Sequence, residues 1–124
     1  MELDAFTRLV REALLGVPAE FREALENIQV DVEEWPTAEE LREVGMEPDE
    51  RHLLLGLYHG VPLTERTSSY TALPDRITIY QRAVEAVSGS DPARIAKQVR
   101  RTVVHELAHY YGIDDERLEE LGAY

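Results

Sequence analysis

Two histidines and a glutamate near the end of the chain have the types and the spacing of a metal-assisted hydrolytic site. His105 and His109 are four residues apart, and Glu106 directly follows the first of them. Residues four apart lie on one side of a helix about one turn from each other, so both imidazoles can reach one zinc ion. The carboxylate beside them can hold a water molecule. The spacing therefore predicts a zinc site with its own general base.

A third ligand is required, because two imidazoles alone bind zinc poorly. The chain contains no cysteine, so every zinc ligand must be a nitrogen or an oxygen. Gly112 is predicted to adopt the left-handed conformation that ends the helix and turns the chain. Several carboxylates follow this glycine and could complete the ligand set: Asp114, Asp115, Glu116 and Glu119.

The helix that would carry the histidines has the clearest start in the chain. Ser90 or Asp91 can cap it, and Pro92 falls in the first turn, where a missing N–H costs nothing. An apolar stripe follows at helical spacing, formed by Ile95, Val99, Val103, Leu107 and Tyr110. At 100° per residue the two histidines lie roughly 40° apart and mostly off that stripe. We therefore expect them to face a cleft against a sheet.

Upstream, apolar periodicity predicts both helices and strands, so the expected fold class is α+β. Helical patterns cover residues 3–17, 19–27 and 37–44, with a turn or helical piece at 83–87. Strand patterns cover residues 28–32, 52–58 and 77–80. The last pattern is short, as an edge strand should be. The polar stretch between it and the middle strand, from Pro62 to Asp75, predicts a long loop of the kind that is often functional.

Composition and charge describe a globular chain with a strongly acidic balance. The 124 residues carry a formal net charge of −12, and 44% of them are hydrophobic. A nucleic-acid binder needs a cationic surface, and an anionic membrane would also repel this chain, so neither partner is expected. Cationic peptides or basic proteins would be attracted.

Length and targeting signals lead to further expectations. A chain of 124 residues is expected to form one domain, residues 1–124. No apolar run approaches the roughly 20 residues that span a bilayer, and the acidic N-terminus does not resemble a secretory signal. A cytoplasmic location is therefore expected, whereas the sequence gives no indication of oligomeric state.

The segment HELAHYYGIDD, residues 105–115, resembles the HExxHxxGxxD form of the extended zincin signature. With its active-site helix last, the chain is also similar to the minimal zincin-like metallopeptidases found as short bacterial proteins. Two upstream segments add to that likeness, namely Gly56-Leu57-Tyr58 and Leu73-Pro74-Asp75-Arg76-Ile77. The resemblance implies a single zincin-like domain in which a small mixed sheet, with an edge strand, packs on the C-terminal active-site helix.

Carried over by position, the resemblance implies a zinc-dependent metallopeptidase. His105, His109 and Asp115 would be the zinc ligands, and Glu106 would be the general base toward a metal-activated water. A peptide or protein substrate, favoured if basic, would pair with the edge strand Ile77, Thr78, Ile79 and Tyr80. The chain departs from the metzincins, because no methionine follows Asp115. Tyr70, Tyr80, Tyr111 and Arg117 are candidates for stabilising an oxyanion.

Two other functions are compatible with parts of the sequence. A metal-dependent RNA hydrolase would share a related histidine spacing, His-x3-His-x5-His, although Glu106, the final Asp and the net charge of −12 argue against it. A catalytically weak metal-binding or interaction module could keep the fold, bind metal weakly or not at all, and bind a basic partner.

Overall fold

The computed structural model describes residues 1–65, 67, 75–113 and 116–117 of the chain. Its helices are α1 (Leu3–Leu15), α2 (Ala19–Leu25), α3 (Ala38–Glu43), α4 (Gln81–Ser88) and α5 (Pro92–Tyr110). Its strands are β1 (Ile28–Glu33), β2 (Gly56–His59) and β3 (Asp75–Tyr80). Two short 3₁₀ helices lie on either side of β2 in sequence, at Pro48–Leu53 and Leu63–Glu65. The described residues thus form an α+β fold, as expected.

Local sequence signals set both ends of α5. Asp91 caps the N-terminus, where its Oδ1 accepts a hydrogen bond from the Ala93 N–H at 3.0 Å. At the other end Gly112 has a φ of +83°, a left-handed conformation that glycine adopts without a steric penalty. The N–H of Ile113 then donates to the Ala108 carbonyl at 2.8 Å, which completes a Schellman motif. The chain therefore turns away from the helix just beyond the histidine pair.

Within the described residues the strands form a mixed sheet in the order β1-β3-β2. β3 pairs with β1 in parallel, with Ile77 opposite Val30. It pairs with β2 in antiparallel register, with Ile77 opposite Tyr58 and Ile79 opposite Gly56. β3 is therefore the central strand, and β2 is the edge strand that lies against α5.

The larger apolar cluster joins α5 to the sheet and to α1. From α5 it includes the predicted stripe, Ile95, Val99, Val103, Leu107 and Tyr110. The sheet contributes Ile28, Ile77 and Ile79, and α1 contributes Phe6, Val10 and Ala13. Burial of these side chains fixes the rotation of α5, because the stripe must face the sheet. The opposite side of the helix, which carries the histidines, is consequently left for the site.

A smaller cluster covers the other face of β3. Its buried members are Leu41, Leu54, Tyr80 and Ala83. The Tyr80 hydroxyl donates to Glu40 Oε2 at 2.7 Å, and Glu40 Oε1 accepts from the Thr37 N–H in the capping box that begins α3. Burial alone would raise the pKa of Glu40, but the hydrogen bonds from Thr37 and Tyr80 outweigh it and hold that pKa below its ordinary value. Burial and the neighbouring carboxylate raise the pKa of Tyr80.

The prediction that residues 77–80 form an edge strand is wrong. Ile77, Thr78, Ile79 and Tyr80 are all fully buried in the central strand, with β1 on one side and β2 on the other. The edge was predicted because the segment alternates and is short. The face that carries Thr78 and Tyr80 is instead covered by the smaller cluster, and Glu40 accepts the hydrogen bond of the Tyr80 hydroxyl.

The strand predicted over residues 52–58 begins later than expected. Residues 48–53 form a 3₁₀ helix, and only Gly56–His59 belong to β2. Pro48 occupies the start of the 3₁₀ helix, and Glu47 and Glu50 form a capping box around its first turn. These local bonds favour the turn over an extended conformation. Leu53 is consequently half-exposed, whereas the strand pattern placed it in the core.

The remaining predicted helices and strands occur close to their expected positions, and α4 extends the helical piece predicted at 83–87. The predicted loop from Pro62 to Asp75 falls largely outside the described residues. In the part of the chain that the structure describes, no helix is long and apolar enough to cross a membrane. The single domain and the cytoplasmic location stay predictions.

Candidate metal centre and active site

The polar side of α5 brings together three groups that could hold a metal ion. One donor atom from each of His105, Glu106 and His109 lies within 4.8 Å of the other two. The two imidazole rings have centroids 4.7 Å apart and meet edge to face, with an interplanar angle of 73°. The two histidines lie one turn apart and away from the buried stripe, whereas Glu106, the residue after His105, is about 100° further round the helix and is buried toward β2.

The donor set suits zinc. Zinc binds imidazole nitrogens at about 2.0–2.1 Å, so two ligand atoms on one tetrahedral ion are roughly 3.4 Å apart. Small side-chain rotations would bring donor atoms within 4.8 Å of one another to that separation. Two imidazoles and nearby carboxylates are ordinary zinc ligands, and both histidines are partly exposed, which leaves a route for the ion. The expected third protein ligand, Asp115, lies outside the described residues.

Glu106 is almost completely buried, with 5% of its surface exposed. Its Oε1 accepts a hydrogen bond from the backbone N–H of Tyr58 at 3.0 Å and lies 3.3 Å from His109 Nδ1. Its Oε2 lies 3.7 Å from His105 Nε2. A buried carboxylate needs such partners, because an isolated charge in this position would be costly to desolvate. The backbone of β2 therefore fixes the carboxylate between the two imidazoles.

This contact requires β2 to lie very close to α5, and Gly56 allows it. A Cβ atom placed on Gly56 would be 2.6 Å from Thr102 Cγ2 on α5 and 3.2 Å from the Thr78 carbonyl oxygen. Ordinary contacts of this kind are 3.4–4 Å, so no larger residue fits without displacement of the strand or the helix. Gly56 lies two residues before Tyr58, whose N–H reaches Glu106. The glycine thereby sets the distance between the edge strand and the carboxylate.

The hydrogen-bond pattern shows which backbone groups of β2 face away from the sheet. The Leu55 carbonyl accepts a hydrogen bond from the Tyr80 N–H at 2.9 Å, so residue 55 bonds toward β3. The Tyr58 N–H points the other way, toward Glu106. Since backbone groups alternate along an antiparallel edge, the N–H and C=O of Gly56 share the outward direction of Tyr58. The outer edge of β2 at these residues therefore runs along the groove beside α5.

A cavity of about 460 Å³ opens beside the three polar groups. α5 supplies one wall, with Gln98, Arg101, Thr102, His105, Glu106 and His109. The other wall comes from the segment between the end of α3 and β2, with Val44, Met46, Leu53, Leu54, Leu55, Gly56, Leu57 and Tyr58. The cavity is thus bounded by the helix on one side and by the edge strand with its preceding turn on the other.

The structure brings together only part of the predicted site. His105, Glu106 and His109 line the cavity, whereas Ile77–Tyr80 do not. Those four residues were assigned to substrate binding because they were expected to form an edge strand. The edge strand that lines the cavity is instead β2.

Two of the tyrosines considered for stabilising an oxyanion make other contacts in the structure. The Tyr80 hydroxyl is bonded to Glu40 away from the cavity, and the Tyr111 ring packs beside Tyr110 and Phe21. Tyr70 lies outside the described residues.

Sequence reasoning missed the contribution of the segment before β2. Its leucines were taken as a buried strand, yet Leu53, Leu54, Leu55 and Leu57 line the cavity. A signal was nonetheless present. The segment Gly56-Leu57-Tyr58 was already part of the resemblance, and a glycine within a strand indicates a close approach of another element. Here that element is the active-site helix.

A buried glutamate between two histidines on a helix, set against an antiparallel edge strand, defines the zincin class of metallopeptidases. A family model described as zincin-like metallopeptidase matches residues 25–123 of the 124-residue chain. The chain belongs to the zincin-like metallopeptidase family. No protein of curated function is significantly similar to it in sequence. The family assignment favours a peptidase over an RNA hydrolase.

Proposed function

We propose that the protein is a zinc-dependent peptidase that hydrolyses peptide bonds at the polar side of α5. The observation that carries this proposal is the grouping of His105, Glu106 and His109 within 4.8 Å at a cavity beside an edge strand. Membership of the zincin-like metallopeptidase family supports it. The three groups proposed for catalysis lie beside a backbone edge that could pair with an extended peptide.

In this proposal His105 and His109 are zinc ligands, and Asp115 is the third. When bound, zinc supplies a Lewis acid and lowers the pKa of an attacking water molecule. Glu106 accepts the proton of that water through its carboxylate and then delivers it to the leaving amine. The Tyr58 N–H at 3.0 Å holds Glu106 Oε1 in place, which leaves Oε2 to make the proton transfer. Burial of Glu106 excludes bulk water from that carboxylate.

The substrate is proposed to bind along β2 rather than along β3. An extended peptide could hydrogen-bond to the outward N–H and C=O of Gly56 and so add a strand to the sheet. The peptide would then lie next to Glu106, because Tyr58, two residues further along β2, contacts that carboxylate directly. The formal net charge of −12 would favour basic peptides through long-range attraction.

Glu106→Gln tests the proposal, since glutamine keeps the shape of the side chain and removes its basicity. We expect zinc content and folding to be retained while peptide hydrolysis falls by about 10²–10⁴-fold. Glu12→Gln is the matched control, because Glu12 is an exposed glutamate on α1. Unchanged turnover in Glu106→Gln would refute the proposed role. Absence of hydrolysis in the wild-type, zinc-loaded protein across a broad peptide library would favour the interaction module.

A further inference from the structure

We infer that the outer edge of β1 is a docking strand for an extended basic segment of a partner protein. Among the described strands, the order β1-β3-β2 leaves two edges, and the β2 edge lies beside the cavity proposed for the substrate. β1 is on the opposite side of β3, so a segment bound there would not occupy that cavity. The inference therefore goes beyond the proposed function and does not depend on it.

The hydrogen bonds of β3 show which of its residues face β1. The Tyr80 N–H donates to the Leu55 carbonyl at 2.9 Å, so the backbone groups of Tyr80 point toward β2. The N–H and C=O of one residue share a direction, and successive residues of a strand alternate. Ile77 and Ile79, an odd number of residues before Tyr80, therefore direct their backbone groups toward β1.

The register of the parallel pair then identifies the outward groups of β1. Ile77 lies opposite Val30, and a residue in a parallel ladder bonds to the two residues that flank its partner. Gln29 and Asp31 therefore bond to β3. Val30 and Val32 consequently direct their N–H and C=O away from the sheet, and no hydrogen bond from a described residue reaches these groups. They form a free edge with which an added strand could pair.

The two faces of this edge differ, and they predict the sequence of the occupant. Val30 and Val32 are half-buried against the larger apolar cluster, so an apolar side chain on an added strand would extend their burial. Asp31 and Glu33 lie on the other face, and residues 23–34 contain no lysine or arginine. A segment in which lysine or arginine alternates with apolar residues therefore matches both faces.

The arginine nearest to this edge leaves its acidic side chains accessible. Arg76 Nε lies 3.7 Å from Asp31 Oδ2, but it belongs to β3 and approaches from the inner side of β1. Asp31 keeps 32% of its side chain exposed. Glu33 is exposed and forms no ion pair with a described residue. A lysine on an added strand would reach both carboxylates from the open side.

A second copy of the chain is a poor occupant of the same edge. An antiparallel pair of β1 strands that matches Val30 with Val32 would put Asp31 opposite Asp31, and like charges directly opposite are destabilising. Each copy also carries a formal net charge of −12. Acidic side chains on an edge strand thus oppose pairing between copies and leave the edge open to a basic segment.

Binding of designed peptides tests the inference. The probe is an acetylated, amidated octapeptide of alternating lysine and valine, and its control has the same residues in two blocks. Nitrogen-15 NMR spectra of Glu106→Gln protein, in which cleavage does not consume the probe, report both affinity and position. We expect the alternating peptide to bind about tenfold more tightly than the block peptide and to shift the amide signals of Val30 and Val32. Equal affinities, or shifts confined to β2, would overturn the inference.

A charge reversal on β1 supplies the matched comparison. Glu33→Lys places a like charge opposite a peptide lysine, and we expect the affinity for the alternating peptide to fall by about tenfold. Glu12→Lys is the control, because it changes the net charge equally at an exposed position on α1, and its affinity should stay within about twofold of the parent protein. Equal losses in the two variants would show that net charge alone attracts the peptide and would overturn the inference.

Backbone pairing is tested on the peptide, which leaves the folding of the protein unaffected. Only alternate amides of a bound strand face β1. N-methylation of that set should abolish binding, and N-methylation of the other set should preserve it. Equal effects of the two sets would overturn the inference. If sedimentation shows that the protein alone dimerises and the dimer lacks peptide-induced shifts at Val30 and Val32, a second copy occupies the edge and the inference is also overturned.

Discussion

Replacement of Gly56 by alanine tests whether the close contact between β2 and α5 positions the general base. The added Cβ would be 2.6 Å from Thr102 Cγ2, and an ordinary contact needs at least 3.4 Å. Relief of the overlap therefore requires the strand and the helix to separate by about 0.8 Å. The hydrogen bond from the Tyr58 N–H to Glu106 Oε1, now 3.0 Å, would lengthen to about 3.8 Å and be lost.

Two effects of this change can be measured. Overpacking of this kind costs about 1–3 kcal/mol in the free energy of unfolding. Misplacement of a catalytic group by about 1 Å can cost on the order of 10²-fold in rate, so kcat should fall by about that factor in protein that remains folded. Peptide hydrolysis and chemical denaturation, carried out on the same preparation, separate the two effects.

Two further variants show whether the effect of Gly56→Ala comes from the contact with Thr102. Gly16→Ala is the control, because its Cβ would meet the flexible Arg100 side chain at 3.0 Å and the Ala13 carbonyl oxygen at an ordinary 3.5 Å. We expect activity within about twofold of the wild type. Thr102→Ser removes the methyl group that clashes and keeps the hydroxyl bonded to Gln98. Combined with Gly56→Ala it should restore part of the activity. Full activity of folded Gly56→Ala alone would refute the positioning argument.

The remaining predictions concern the buried Glu40–Tyr80 pair. Tyr80→Phe removes a 2.7 Å hydrogen bond to a buried carboxylate, and denaturant titration should show a loss of about 1.5–3 kcal/mol in unfolding free energy. Because folding lowers the pKa of Glu40, its contribution is present above the ordinary glutamate pKa of about 4.3 and is lost as pH falls below it. Acid titration should therefore destabilise the wild type more steeply than Glu40→Gln between about pH 5 and pH 3. Parallel acid profiles would contradict that assignment.

Local sequence signals were sufficient to predict the helix that carries the site. Its cap at Asp91, its apolar stripe and its stop at Gly112 all act within a few residues, and the structure has each of them as expected. The spacing of His105, Glu106 and His109 needs only helical geometry, so their grouping was also predictable. The features of α5 that depend on this helix alone were therefore predicted correctly.

One error was local, because the capping box of Glu47 and Glu50 favours a 3₁₀ helix where a strand was predicted. The other errors arose where contacts between distant segments decide the structure. Residues 77–80 alternate like an edge strand, but α3 and its Glu40 cover the face that alternation left to solvent. The position of β3 between β1 and β2 depends on pairing partners 17 or more residues away, which no local pattern reveals. The contribution of the segment before β2 to the cavity was not predicted for the same reason. Its leucines have the sequence pattern of core residues, and only the packing of β2 on α5 leaves them around a cavity.

Metal analysis of protein prepared without a polyhistidine tag tests the central claim most directly. Inductively coupled plasma mass spectrometry, after dialysis against a weak chelator, should find one zinc ion per chain. His109→Ala should lose that zinc, while His52→Ala, which changes an exposed histidine in the 3₁₀ helix, should retain it. A folded wild-type protein without stoichiometric zinc, or a His109→Ala variant that keeps it, would contradict the account.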